Sequence, residues 1–319
     1  MNTSLLNKEK GEMKDGNKHG KGKMDFANGD KYTEDCVNGI RTGQDLYIFA
    51  NGDRYEGQWK DDNMTGQGVY ISASGNRYEG QWKDDKKHGK GKMDFANGDK
   101  YTGDYVNGNM TGQGVYIYAS GGRYEGQWKD DKKHEKGRMD FANGDKYTGD
   151  YVNGNMTGQG VYIFASGDRY EGQWKDDKKH GKGKMDFANG DKYTGDYVNG
   201  NMTGQGLHIF ASGGRYEGQW KDDYMTGQGV YISASGNRYE GQWRDGKQHG
   251  KGKMDFASGS KYTGDWVDGN MTGQGLYIYA SGDRYEGQWK DDKKHGKGKM
   301  TYASGTIKDG IWSNSSFVG

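Results

Sequence analysis

The sequence contains no proline. Strands inside a sheet use every backbone N–H as a donor, so this absence leaves the whole chain free to pair as sheet. A single cysteine, Cys36, excludes an intrachain disulfide and points to a reducing compartment. No run approaches the roughly 20 apolar residues that span a bilayer. The opening Met1-Asn2-Thr3-Ser4-Leu5-Leu6 lacks the apolar core of a secretory signal, so the expected location is cytoplasmic and not secreted. Charge of one sign is also missing: 46 Lys and Arg against 45 Asp and Glu leave a formal net charge of +1. Without a basic field, no nucleic-acid partner is expected. Hydrophobic residues make up only 30%, a composition that ordinarily goes with disorder.

What is present is placed too regularly for disorder. Tyrosines stand every 23 residues from Tyr32, Tyr55 and Tyr78 through to Tyr262 and Tyr285, so one small unit recurs along nearly the whole chain. Counted from each such Tyr as zero, glycine recurs at +2, +11, +13 and +20, as in Gly80, Gly89, Gly91 and Gly98. Every tryptophan falls at +4, and Tyr105, Tyr151 and Tyr197 take that place in other units. The remaining aromatics sit almost wholly at +15 and +17, as in Tyr116 and Tyr118.

Side chains alternate faces along a strand, so positions 0, +2 and +4 share one face, and +13, +15 and +17 share one face of a second strand. Asn107-Gly108 or Asp84-Asp85 between the two strands, and Asn97-Gly98 or Ser120-Gly121 after the second, are dipeptides of turns that need positive φ. Each unit therefore reads as a β-hairpin, and no 3.6-residue apolar period argues for helix. The expected fold is all-β: an elongated single-layer antiparallel meander of stacked 23-residue hairpins. About thirteen such hairpins, at roughly 4.8 Å per strand, make a ribbon on the order of 120 Å long. The predicted organisation is a short N-terminal tail over 1–8, a repeat array over 9–312 and a C-terminal tail over 313–319.

The run Tyr78-Glu79-Gly80-Gln81-Trp82, followed by His88-Gly89-Lys90-Gly91 and Gly98-Asp99-Lys100-Tyr101, closely resembles the MORN (membrane occupation and recognition nexus) repeat. The resemblance covers nearly the whole chain, with Glu9 in the tyrosine place of the first unit and Lys308 in that of the last. It implies a single-layer sheet that serves as a scaffold, often in cytoskeletal, ciliary or membrane-linked assemblies. The family's repeats also occur joined to lipid kinases and lysine methyltransferases, and no such domain is found here. Three departures stand out: Glu34 at +2, Asp45 at +13 and Glu135 at +11 replace glycine, so the second and sixth units are expected to be locally distorted. A second period overlies the first, because Tyr-Glu-Gly-Gln-Trp units alternate with Tyr-Thr-Gly-Asp-Tyr units, interrupted by hybrids beginning at Tyr55 and Tyr216.

Catalysis finds little support in the residues. Histidine recurs at +10, as in His88, His134 and His180, but neighbouring copies lie about four strands, or roughly 19 Å, apart, and a zinc site needs donors converging on one ion. The Asp84-Asp85 type of pair reads as a turn, and Gly-x-Gly has no helix behind it to cradle phosphate. No catalytic residue, metal or cofactor is expected. Cys36 stands in a Trp or Tyr place and reads as a packing substitution or as a reactive thiol. Two surfaces qualify as binding sites. The first is the aromatic face, with Tyr124, Trp128, Tyr170, Trp174, Tyr216, Trp220, Phe141, Phe164 and Phe187. So large an apolar surface exceeds what a monomer normally exposes, so it calls for a protein partner, helical or extended, or a second copy of the chain. The alternative is a basic edge of Lys86, Lys87 and Lys90, repeated at Lys178, Lys179 and Lys182, facing an anionic membrane or phosphoinositide surface.

Overall fold

A computed structural model describes residues 9–319, so the expected tail over 1–8 lies outside the described residues. Every regular element among them is a strand. The described residues divide into two compact units, one ending at Gly158 and the other beginning at Gln159. Each unit is a single-layer meander in which successive strands pair antiparallel, as Arg77–Lys83 with Lys86–Asp94, and that with Lys100–Val106. In the second compact unit Arg169–Lys175, Lys178–Asp186 and Lys192–Val198 repeat the same pairing.

The hairpin turns follow from their residues. Asp84 and Asp85 both carry positive φ, 48° and 60°, the mirror-image turn whose twist matches that of the flanking strands. The far connection closes when Phe95 N–H donates to the Asp99 carbonyl and Gly98 N–H to that of Phe95, both at 2.9 Å. Inside each hairpin the register slips next to the +2 glycine. Gly80 faces Gly91, yet Trp82 already faces Lys87. The bulge is accommodated by Gly89 at φ 59°.

A one-layer sheet has no second layer to bury its aromatics, and the glycines solve this. The Tyr78 ring lies over Gly80 of its own strand and Gly91 of the next, where any Cβ would fall on the ring. Its hydroxyl donates to the Gln81 carbonyl at 2.9 Å. Trp82 then stands edge-on between Tyr78 and Tyr55, with ring centroids 5.1 and 5.3 Å away, and its indole N–H donates to the Gly68 carbonyl at 3.3 Å. Such ring pairs contribute about 0.5–1.5 kcal/mol each beyond area burial. Repetition of this interlock forms the core.

The departures have local consequences. In the second unit the Asp45 carboxylate occupies the glycine place, buried, and accepts from the Tyr32 hydroxyl and from Asp35 N–H. The second strand there is split into Ile40–Arg41 and Gly43–Ile48. Cys36 is buried, and burial pushes its thiol pKa up, which fits the packing reading. In the sixth unit the strand Lys132–Asp140 is kept, but Glu135 is held at φ 50°. At the end of the chain, residues 313–319 fold back: Ser316–Phe317 pairs with Ile307–Ser313, and the Phe317 ring lies 5.2 Å from that of Trp312.

Candidate functional site

On the aromatic face, six of the nine expected contact residues are sealed by their own chain. Tyr124, Tyr170 and Tyr216 are 0% exposed, and Trp128, Trp174 and Trp220 are 6% exposed. The expectation that these rows form an open groove is corrected, because each Tyr lies flat on glycine, Trp128 is wedged between the rings of Tyr101 and Tyr124, Trp220 between those of Tyr193 and Tyr216, and Trp174 stands edge-on to Tyr170. They are core residues.

What stays partly open is a strip along one side of that face. Phe141, Phe164 and Phe187 are half-buried at +17, and an aromatic holds this place in every unit from Phe26 to Tyr302 except the two hybrids, which carry Ser72 and Ser233. Its rings touch those at +15: Tyr162 and Phe164 are 4.5 Å apart, Tyr116 and Tyr118 4.6 Å, and Phe95 and Tyr116 5.7 Å. In the units of Tyr32, Tyr55 and Tyr101 an aspartate two residues before the repeat tyrosine pins this strip. Asp99 accepts from Ala119 N–H and from the Tyr116 hydroxyl, both at 2.7 Å, and these bonds hold its carboxyl below the usual range. Asp53 does the same, its pKa lowered chiefly by the Tyr70 hydroxyl.

The six candidate lysines do not form one edge. Lys86 and Lys178 are exposed on the polar face. Lys87 and Lys179 face Trp82 and Trp174 across the hairpins and so turn to the aromatic face. Their ammonium groups lie 5.2 and 5.0 Å from the rings of Tyr105 and Tyr197, and burial depresses their pKa values. Lys90 and Lys182 return to the polar face, paired with Asp104 and Asp196 at 2.6 Å each. Alternation along the strand therefore divides the basic cluster between two faces. The linear sequence hid this, because the six residues are close in number.

The polar face carries open troughs, one of about 710 Å³, floored by Gly80, Gly91, Gly103 and Gly114 and walled by Gln67, Glu79, Lys90 and Lys92. The histidines at +10 are half-buried beside the bulge, and Nδ1 of His88, His134 and His180 is enclosed with no hydrogen-bond partner among the described residues. The sequence signal for the half-open strip was present in the +17 aromatics, but only the burial distinguishes them from the sealed rings at 0 and +4.

Among solved structures, similarity reaches the TCP domain of SAS-4 (dCPAP) from Drosophila melanogaster, in complex with a proline-rich motif of Ana2, at 12% identity and a TM-score of 0.32 over 49% of this chain and 85% of that one. The TCP10 domain of Danio rerio CPAP with a STIL peptide matches at 12% identity and a TM-score of 0.30, over 84% and 98% of the two chains. Virginiamycin B lyase from Staphylococcus aureus matches at 13% identity and a TM-score of 0.14, over 84% and 83%. Superpositions this loose carry neither partner nor activity to this chain. A search of curated proteins gives no match. Protein-family comparison, by contrast, finds the MORN repeat twelve times, over residues 10–31 and then without a break from 55 to 307. The stretch it passes over, 32–54, is the unit in which Glu34 and Asp45 replace glycine. With its hairpin, its glycine-seated tyrosines and this coverage, the chain belongs to the MORN repeat family.

Proposed function

We propose that this protein is a non-catalytic scaffold that binds a helical or extended segment of a protein partner along its half-open aromatic strip and spaces components of a larger cytoskeletal, ciliary or membrane-linked assembly. The observation that carries the reading is the strip itself: half-buried rings at +17 in all but the hybrid hairpins, joined in alternate hairpins by a ring at +15, which an aspartate holds at Tyr47, Tyr70 and Tyr116. Half-buried aromatics offer apolar area at little entropic cost, which suits recognition of an amphipathic segment. Family membership supports a binding role, and the sealing of Tyr and Trp moves the expected contact to the neighbouring Phe residues. Dispersal of the lysines removes the main support for the phosphoinositide alternative.

The test uses the chain's own tolerance. Serine holds the +17 place in the hybrid units, so Phe164→Ser with Phe187→Ser keeps the hairpins folded. Affinity capture from cells, quantified by mass spectrometry, should lose the same proteins with this variant that the wild type retains, while hydrogen exchange stays native. Unchanged capture would place the contact elsewhere.

A further inference from the structure

On the polar face, opposite the aromatic strip, the hairpin register sets like charges directly across from one another. Lys83 faces Lys86, Lys129 faces Lys132, Lys175 faces Lys178 and Lys290 faces Lys293. Like charges directly opposed weaken a strand pair. The fold does not require them, because the same places in alternate hairpins hold Val106 with Asn109, Val198 with Asn201 and Val267 with Asn270.

Other lysines of this face are matched. Lys90 pairs with Asp104 at 2.6 Å, Lys136 with Asp150 at 2.5 Å, Lys182 with Asp196 at 2.6 Å and Lys251 with Asp265 at 2.5 Å. The opposed lysines make no such ion pair among the described residues. One of the two adjoining turn aspartates is drawn toward the preceding hairpin: Asp85 accepts from Met64 N–H at 2.8 Å, and Asp131 and Asp292 from Met110 and Met271 N–H at 2.7 Å. Each tip thus carries two ammonium groups and two carboxylates, and one of those carboxylates is turned to the backbone of the preceding hairpin.

We propose that the lysine pairs are docking points for the carboxylates of an acidic, extended protein segment, one pair gripping one acidic side chain. Exposed valines lie between them, Val106 at 47% and Val198 at 43%, offering apolar contact along the same track. Within the first compact unit the pairs at Lys83 and Lys129 are four strands, or roughly 19 Å, apart. Neighbouring strands in a sheet turn by about 20–25°, so pairs four strands apart face different directions. A flexible chain follows such a track, and a planar bilayer does not.

The surface is distinct from the aromatic strip, and the two readings fail separately. The probe is a fluorescent oligoglutamate peptide titrated onto the full chain. Lys86, Lys132, Lys178 and Lys293 are replaced by Asn, the residue at the same place in Asn109 and Asn201. A control of equal charge replaces Lys100, Lys146, Lys192 and Lys261, at the other end of the strands, by Gln. The pair variant should bind at least about tenfold more weakly with a flatter salt dependence, and the control should stay within about twofold. The Phe164→Ser, Phe187→Ser variant should bind the peptide as the wild type does. Equal losses in the two lysine variants, no binding by the wild type, or displacement of the peptide by phosphatidylserine vesicles would each overturn the proposal.

Discussion

Glu135 is the one place where the +11 position holds a side chain at positive φ, and its replacement by glycine should stabilise the protein. In other units of its type this position is glycine, as Gly89 at 59° and Gly181 at 60°. There the carboxamide of the +3 glutamine covers the glycine and accepts a backbone N–H: Gln81 from Lys90 at 3.2 Å, and Gln173 from Lys182 at 3.1 Å. A Cβ at Gly89 or Gly181 would overlap that carboxamide. In the sixth unit the Glu135 Cβ is present, and no such bond joins Gln127 to Lys136. Two gains follow from Glu135→Gly: relief of the left-handed backbone, about 1–2 kcal/mol, and recovery of one hydrogen bond, about 0.5–1.5 kcal/mol. The added freedom of glycine in the unfolded chain offsets roughly 0.5–1 kcal/mol. The net is a stabilisation of about 0.5–3 kcal/mol. Because repeat arrays unfold in segments, the assay is hydrogen exchange read over 124–140 alongside denaturant unfolding. Gly181→Glu should lower protection of its own hairpin by a similar amount. No gain in Glu135→Gly, together with a harmless Gly181→Glu, would refute the reasoning from backbone strain.

The buried hydroxyls of Tyr105 and Tyr197 have no hydrogen-bond partner among the described residues, whereas that of Tyr101 donates to the Asp104 carbonyl at 3.1 Å. Tyr105→Phe should therefore be neutral or stabilising by about 1 kcal/mol and Tyr101→Phe destabilising by about as much, read by denaturant midpoints. Acid should loosen the aromatic strip. The pKa values of Asp30 and Asp53 are lowered in the folded state, chiefly by the Tyr47 and Tyr70 hydroxyls, so their stabilisation is complete above the unfolded value near ~4 and is lost as pH falls through the folded value. Tyr70→Phe should flatten that part of the stability profile. Alkali acts oppositely: burial pushes Tyr47 and the repeat tyrosine Tyr285 up to about 12, and the repeat tyrosines Tyr124 and Tyr170 higher still. Their stabilising effect is full below about pH 10 and fades above it, so phenolate absorbance from the repeat tyrosines should appear together with loss of sheet circular dichroism.

The hairpin, its turns and its aromatic spacing were legible because period two and positive-φ dipeptides are local properties of sequence. Burial was not. Whether Trp174 is open or sealed depends on the ring of Tyr170, 5.2 Å away, and on the absence of a Cβ beneath that ring. Spacing places both residues on one face without saying how the rings tilt. The division of the lysines follows from period two alone, which turns Lys87 to the aromatic face and Lys86 and Lys90 to the other, and their closeness in sequence obscured it. Asp45 and Glu135 were legible as departures, and their effects proved different. One splits a strand around a buried carboxylate, and the other keeps the strand under backbone strain.

The longer two-unit period has a physical basis in the contact between hairpins. The residue at +9 of one hairpin meets the +4 aromatic of the next. Lys87 and Lys179 meet Tyr105 and Tyr197, whereas Met64, Met110 and Met202 precede Trp82, Trp128 and Trp220. A tyrosine ring is smaller than indole and leaves room for the ammonium over its face, and an indole fills that room and is matched by flexible methionine. The hybrids obey the same pairing: Met64 and Met225 are followed by Trp82 and Trp243, although their own first strands are of the other type. Where Trp266 stands in a tyrosine place, the preceding residue is the uncharged Gln248. Two places are exceptions, where the cation lies over an indole: Arg41 at 4.2 Å over the Trp59 ring, in the unit distorted by Asp45, and Lys294 at 4.6 Å over the Trp312 ring. The packing unit is thus the second strand of one hairpin together with the first strand of the next, displaced by half a repeat from the Tyr-to-Tyr unit that the sequence displays.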